Sequence, residues 1–303
     1  MTAVLLTGGS GLLAVNWAIS MRDRHRIVLG IHERDVRVDG TGSRRIDLGS
    51  VDSLMRSLDA VEPGLVVHAA GLTSVEQCEA NPELADYVNV TLAGNVAQAC
   101  AARGVRLAHI STDHLYSGDA TSVDETVPPN PVNRYGQSKA RAEQLVAEHC
   151  ADGLIVRTNF YGWGTSYRRS FSDSILDSLR QGRALNLFRD VFFTPILAEP
   201  LAQTVHDLVE RGASGVFNVV GDDRLSKHEF GLRLAAAFAL DTGLISSGAL
   251  ADRAELVRRP YEMSLANRKA AAALGRPLGG VDAHLKRLVE QEQSHIGREL
   301  RAL

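Results

Sequence analysis

Short apolar runs recur through the first half of the chain, each closed by glycine or a small polar residue. Ala3-Val4-Leu5-Leu6, Arg26-Ile27-Val28-Leu29, Leu65-Val66-Val67-His68, Val105-Arg106-Leu107-Ala108-His109-Ile110 and Leu154-Ile155-Val156-Arg157 are each too short for a buried helix. They carry little polar alternation, which predicts strands covered on both faces. Helical stretches separate them. One runs over about 11–21. A second opens at Asn81-Pro82-Glu83, a cap residue, a proline at the first helical position and an early acid, and continues to about Arg103. A third spans about 134–150. Strands alternating with helices predict an α/β fold with a doubly wound parallel sheet.

The pattern changes after Asn159. Residues 160–169 are rich in aromatics, glycine and arginine and read as a loop, followed by a helix to about Arg180. Val216-Phe217-Asn218-Val219-Val220 resumes the strand signal. Ser226-Lys227-His228-Glu229 is a capping box opening an apolar helix to about Ala239, and the remainder reads as Ala/Leu-rich helix with basic insertions. The expected organisation is a dinucleotide-binding unit over 1–159, with strands returning near 184–220. A smaller substrate-binding region, from 160–183 and 221–303, interleaves with it.

Composition narrows the function classes. A chain of 303 residues with 45% hydrophobic positions can bury a sizeable core. The net charge is −3 and the basic residues are dispersed, as in Arg22-Asp23-Arg24, which argues against nucleic acid as a partner. No apolar run approaches the roughly 20 residues of a membrane span, and the first residues lack a signal-peptide layout. Cys78, Cys100 and Cys150 are widely spaced and read as small buried hydrophobes. They suggest a reducing compartment, hence a cytoplasmic protein, and they form no metal-ligand pattern.

Two motifs carry candidate chemistry. Thr7-Gly8-Gly9-Ser10-Gly11-Leu12 follows the first strand, where backbone amides and a helix N-terminus can meet a pyrophosphate. Ala14 takes the third small position. After the second strand, His32, Arg34 and Arg37 suit a 2′-phosphate, whereas Glu33 suits a free ribose hydroxyl. The cofactor is therefore NADP(H) or NAD(H), leaning to NADP(H). Asp47, with Leu48 beside it, is a candidate adenine-edge contact. The second motif joins Ser111-Thr112, at a strand end, to Tyr135-Gly136-Gln137-Ser138-Lys139 on a helix. Tyr135 and Lys139, four apart, share a helix face. A phenol there can act as general acid with an ammonium close by.

These motifs occur with Ala69-Ala70-Gly71-Leu72-Thr73, Val88-Asn89-Val90-Thr91, His109-Ile110-Ser111-Thr112-Asp113-His114, Pro128-Pro129-Asn130-Pro131 and Arg259-Pro260-Tyr261-Glu262-Met263-Ser264-Leu265. Together they resemble the extended short-chain dehydrogenase/reductases, and within them the dTDP-4-dehydrorhamnose reductase family. The series is also similar to the regulatory beta subunit of methionine adenosyltransferase. The resemblance implies a Rossmann domain with a smaller C-terminal domain and a nucleotide-sugar in the cleft between them. It implies Thr112, Tyr135 and Lys139 as catalytic residues. It places Ala69, Ala70, Gly71 and Asn89 at the cofactor, and Thr73, Asp113, His114, Asn159 and Arg259 at the substrate. The chain departs from the family pattern at Gly71-Leu72, at His114 and over 157–164.

The expected activity is NAD(P)H-dependent reduction of a nucleotide-linked 4-keto sugar. The alternatives are an epimerase or dehydratase on a nucleotide sugar, a cofactor-bound regulatory subunit, and a reductase of a non-sugar carbonyl. Arg168, Arg169, Arg258 and Arg259 are candidates for clamping a diphosphate. Tyr161 and Trp163 suit either stacking on a base or sugar, or the core. The helices over 83–103 and 134–150 offer apolar faces for a homodimer, although packing onto the chain's own sheet accounts for one face of each.

Overall fold

Successive side chains of a strand point to opposite faces, and here both faces are covered. In the computed structural model, which describes residues 3–303, the strand Ala3–Thr7 is buried along its whole length. The first two positions of the expected 1–159 unit lie outside the described residues. Val4 and Leu6 join one core layer with Val67, Ala108 and Val156 of other strands and Leu13 and Trp17 of the helix Leu12–Met21. Leu5 faces the other way, with Val66, Leu107 and Ile155, against Leu54, Leu58, Val96, Cys100 and Val146. Two apolar faces explain why these runs show no polar alternation. All three cysteines are buried and free, as expected.

Seven parallel strands stand in the order Gly215–Asn218, Leu154–Arg157, Arg106–Ile110, Leu65–His68, Ala3–Thr7, Arg26–Ile31, Gly42–Arg45. The chain moves outward from Ala3–Thr7 to Gly42–Arg45, then returns to Leu65–His68 on the other side of the first strand. That reversal opens a crevice at the C-terminal ends of these two strands. Gly42–Arg45 is exposed at every position, so it carried no apolar signal. Of the strands expected near 184–220, Gly215–Asn218 joins this sheet, but Leu185–Phe188 does not. It pairs instead with Ile245–Gly248, and its Leu187 packs with Ile245 and Phe230 in the core.

The long helix expected from Asn81 forms as three continuous pieces. Asn81 caps it by accepting from Leu84 N at 3.1 Å; Pro82–Asp86 and Leu92–Arg103 are α-helical, and the wider turn Tyr87–Thr91 between them is a π-helix. Such wide turns often mark functional sites, and this one carries Asn89.

Beyond Asn159 the chain also forms three two-stranded ribbons and the helices Phe171–Arg180 and Lys227–Ala237. Both helices open with full capping boxes, Ser170 with Asp173 and Ser226 with Glu229. Phe193, Phe230 and Leu234 belong to the same core as Val4 and Trp17, so one apolar interior runs through both parts. Tyr161 and Trp163 lie in that core at 3% and 1% exposure, which removes them as stacking surfaces for a ligand. The tail is helical over Arg268–Leu274, Val281–Gln293 and His295–Ala302. The segment before it is extended rather than helical, because Phe192 N donates to Tyr261 O and Met263 N to Phe192 O, at 2.7 and 2.9 Å. Among the described residues no helix is long and apolar enough to cross a membrane.

Candidate active site

The crevice at the reversal widens into a cleft of about 820 Å³. Its first wall is the glycine turn. Gly8 adopts φ 69°, and a Cβ there would stand 2.8 Å from the backbone of Ala70. Only glycine therefore lets this turn rest on the loop after Leu65–His68. Gly11 N donates to Gly8 O at 2.7 Å, and no side chain caps the helix that follows. Its first amides and its partial positive charge are left for an anion. Gly9 has a different task. Its amide donates to Gly30 O at 2.9 Å, and a Cβ would meet Leu29 at 2.9 Å, so it seats the turn against the second strand.

The opposite wall is the helix Arg134–His149. Asn133 caps it by accepting from Gly136 N at 2.9 Å. A Cβ at Gly136 would lie 2.3 Å from His114 O, so the helix starts in direct contact with the segment after Arg106–Ile110. This contact brings Tyr135 to Thr112. Burial pushes the Tyr135 phenol up to about 12, and a hydrogen bond with Thr112 works in the other direction. Lys139, one turn on, is buried, which pulls its ammonium down to about 8. It donates to Ile110 O at 2.7 Å and lies 3.4 Å from His109 Nε2. Behind it His109 stacks on His68 at 5.4 Å, and His68 Nδ1 lies 2.7 Å from Thr7 Oγ1. Burial holds His68 down at about 3 and His109 well below its ordinary value, so both rings are neutral.

Hydrogen bonds fix the floor. Asn159 Nδ2 donates to Asp113 Oδ2 at 2.6 Å, Thr112 Oγ1 to Asp113 Oδ1 at 3.3 Å, and His114 N to Thr112 Oγ1 at 3.3 Å. The His114 ring meets Tyr135 edge-on at 5.5 Å. Asn89 spends its amide on the protein, accepting from Leu72 N and donating to Leu72 O and Ser138 Oγ, at 2.7, 3.0 and 2.9 Å. It braces the loop Gly71–Thr73 against the helix that bears Tyr135 and Lys139.

The segment 162–170 crosses above. Tyr167 Oη donates to Ser10 O at 2.9 Å, Arg168 donates to Thr73 Oγ1 at 2.9 Å, and Arg34 stacks over the Tyr167 ring at 4.1 Å.

Gly8, Ser10, Gly11, Leu12, Arg34, Ala69, Ala70, Gly71, Thr73, Asn89, Thr112, Asp113, His114, Tyr135, Lys139 and Asn159 all line the cleft. His32, Asp47, Leu48 and Arg259 are not among its lining residues. The His32 side chain is 82% exposed. Asp47 accepts from Gly49 N at 2.9 Å, and Leu48 O accepts from Asn95 at 2.9 Å. Arg259 is ion-paired with Glu76. Sequence reasoning passed over Phe171, a lining residue 39% exposed, and gave Tyr167 no role. Their only signal was the aromatic-rich loop and the helix start after it. The donors present — helix amides, the Lys139 ammonium, the Arg34 guanidinium — fit a dinucleotide, with the pyrophosphate at the glycine turn.

A family model described as the RmlD substrate binding domain matches residues 1–294. The chain is 30% identical, over 86% of its length and 88% of the relative, to a Haloferax volcanii protein named as a probable low-salt glycan biosynthesis reductase. It is 31% identical to the dTDP-4-dehydrorhamnose reductase of Burkholderia thailandensis, over 78% of each chain. The crystal structure of the dTDP-4-dehydrorhamnose reductase of Bacillus anthracis, in complex with NADP, superposes with a TM-score of 0.85 at 22% identity. That match covers 96% of this chain and 100% of the other, and it shows the shared fold.

Proposed function

We propose that this chain, which belongs to the RmlD substrate binding domain family, is a nicotinamide-dependent reductase of a nucleotide-linked 4-keto sugar, an extended short-chain dehydrogenase/reductase. The observation that carries the reading is the Tyr135 phenol, buried and lining the cleft with Thr112, on the same helix as a buried Lys139 and across the cleft from an uncapped glycine turn.

A bound nicotinamide dinucleotide supplies the hydride. The amides of Gly8, Ser10 and Leu12 would hold its pyrophosphate, with Gly11 N closing the turn onto Gly8 O. The Lys139 ammonium has three donors. One is committed to Ile110 O and a second faces His109 Nε2 at 3.4 Å, which fixes its position and leaves the third for a ribose hydroxyl. Arg34 favours a 2′-phosphate and thus NADP(H) over NAD(H). Thr112 and Tyr135 both point to the carbonyl oxygen of the sugar. As negative charge develops there, Tyr135 releases its proton to that oxygen, and the Thr112 hydroxyl turns its one proton from Asp113 to the same oxygen. The raised pKa of Tyr135 keeps the proton in place at neutral pH until that demand arises. Asp113 and Asn159 hold Thr112 in position. A homodimer through the helices at 82–103 and 134–149, in the reducing cytoplasm, completes the reading.

The test is oxidation of NADPH and NADH with a panel of dTDP-4-keto-6-deoxyhexoses and simple ketones. The nucleotide sugars should turn over, and Tyr135→Phe should lower turnover by about 10²-fold or more while cofactor binding persists. Near-normal turnover in Tyr135→Phe, or turnover of simple ketones alone, would sink the reading.

A further inference from the structure

Two of the four arginines expected to clamp a diphosphate are ion-paired within the chain. Arg259 pairs with Glu76, Arg169 with Asp177, and Arg168 donates to Thr73. A different cation lies beside the cleft, against its lining residue Phe171, without a partner. Lys227 is the first residue of the helix Lys227–Ala237. Its backbone amide donates to Val191 O at 3.0 Å, next to the extended segment that holds Tyr261 and Met263 in place. Its ammonium lies 3.3 Å from the ring centre of Phe193 and 5.0 Å from that of Phe171, which lines the cleft. Asp113, on the cleft floor, and Arg259 are the charges that act on it. Among the described residues the Lys227 ammonium has no hydrogen-bond acceptor and no ion pair, and the Asp113 oxygens are already engaged by Asn159 and Thr112.

Resting on the nucleotide-sugar reading above, we propose that Lys227 is the substrate's anion-binding residue, donating to a phosphate oxygen of the nucleoside diphosphate. Two aromatic faces hold the ammonium by cation–π attraction. A half-buried charge without an acceptor is costly, and a phosphate oxygen removes that cost with a charge-assisted hydrogen bond. A sugar hydroxyl would accept the bond but leave the charge uncompensated. The cofactor's pyrophosphate has its own site at the glycine turn, beside Ser10 and Tyr167, whereas Lys227 is grouped with Asp113, His114 and Arg259. Burial and Arg259 together lower the ammonium to about 8, with Asp113 opposing, so it is charged at neutral pH. The exposed ring of Phe171 borders the same space.

The experiment titrates dTDP, without a sugar, onto the NADP-loaded protein by calorimetry, and measures KM and kcat with the best keto-sugar substrate. Lys227→Met keeps the chain length and the aromatic contacts but removes the charge. It should weaken dTDP by about 10- to 100-fold, the loss of a hydrogen bond to a charged group. The KM for the nucleotide sugar should rise in step. NADP affinity should stay as in the wild type, and Lys227→Arg should retain most of the dTDP affinity. Unchanged dTDP affinity in Lys227→Met, while the wild type still turns over nucleotide sugars, would overturn the inference and leave the reductase reading standing. Equal losses of dTDP and NADP affinity in both variants would mark a structural role and also overturn it. A wild-type protein that reduces ketones yet binds no dTDP would remove both readings.

Discussion

Acid should unfold this protein through its histidines, and His206 allows the effect to be measured one ring at a time. His206 is 4% exposed; Trp17 Nε1 donates to its Nε2 at 3.1 Å, and His25 stacks on it at 4.2 Å. The ring accepts that bond only while Nε2 is unprotonated. Burial first, then the neighbouring His25, lowers it from the ordinary 6.5 to about 3. The unfolded chain therefore takes up a proton as pH falls through 6.5, and the folded chain refuses it until about 3. Stability is complete above 6.5 and drains away between those values. At about pH 5 the unfolded state has gained roughly 1.5 pH units of advantage, or about 2 kcal/mol for this one histidine. His68, also held at about 3, adds a similar amount. About 4 kcal/mol is a large share of the 5–15 kcal/mol that holds a typical domain together. The assay is urea unfolding at a series of pH values between about 7.5 and 5. His206→Gln, whose amide oxygen can accept from Trp17, should lose about 2 kcal/mol less over that range than the wild type. Parallel curves for the two proteins would refute the reasoning, whatever their absolute stabilities.

Two further substitutions probe the site. Gly136→Ala places a Cβ 2.3 Å from His114 O, so it should push the helix off the segment that carries Thr112 and cut kcat by about tenfold or more; an active enzyme with normal kcat would show that this contact does not set the Tyr135 position. Arg34→Ala removes the guanidinium stacked on Tyr167, and it should weaken NADPH more than NADH in calorimetry; equal losses would assign Arg34 to holding Tyr167 alone.

The strands were legible because both faces of each are buried, so a run such as Leu154-Ile155-Val156 needs no partner to be recognised. Gly42–Arg45 was invisible for the complementary reason. It is held by backbone pairing to Arg26–Ile31 and by Arg45 donating to His32 O and Asp35, with every residue exposed. The helix Val51–Val61 went unread although Ser50 caps it by accepting from Ser53 N at 3.2 Å. In the site, features set by local geometry could be read. Four residues of helix put Tyr135 and Lys139 on one face, and the glycine turn must follow the first strand. What could not be read is which charges remain free once the chain has folded. Arg259 looks available in its own segment, yet it is claimed by Glu76, 183 residues away.

The same logic explains why Lys227 was overlooked. Within Ser226-Lys227-His228-Glu229 the pattern that stands out is Ser226 and Glu229 exchanging bonds with the helix start. That exchange satisfies the first turn and leaves the lysine between them unconstrained by local sequence. Its direction is set by Phe193, from a neighbouring strand, and Phe171, from the helix packed beside its own. A capping box normally settles a helix end and says nothing of function. Here Lys227 N also donates to Val191 O, so the ammonium stands beside the cleft on a rigid base rather than a mobile loop. Rigid placement matters because an ordered lysine has already lost much of its side-chain entropy before a ligand arrives. The binding step then gains from the new hydrogen bond without that cost. The residue with the least local signature thereby becomes the one best prepared to meet the substrate's charge.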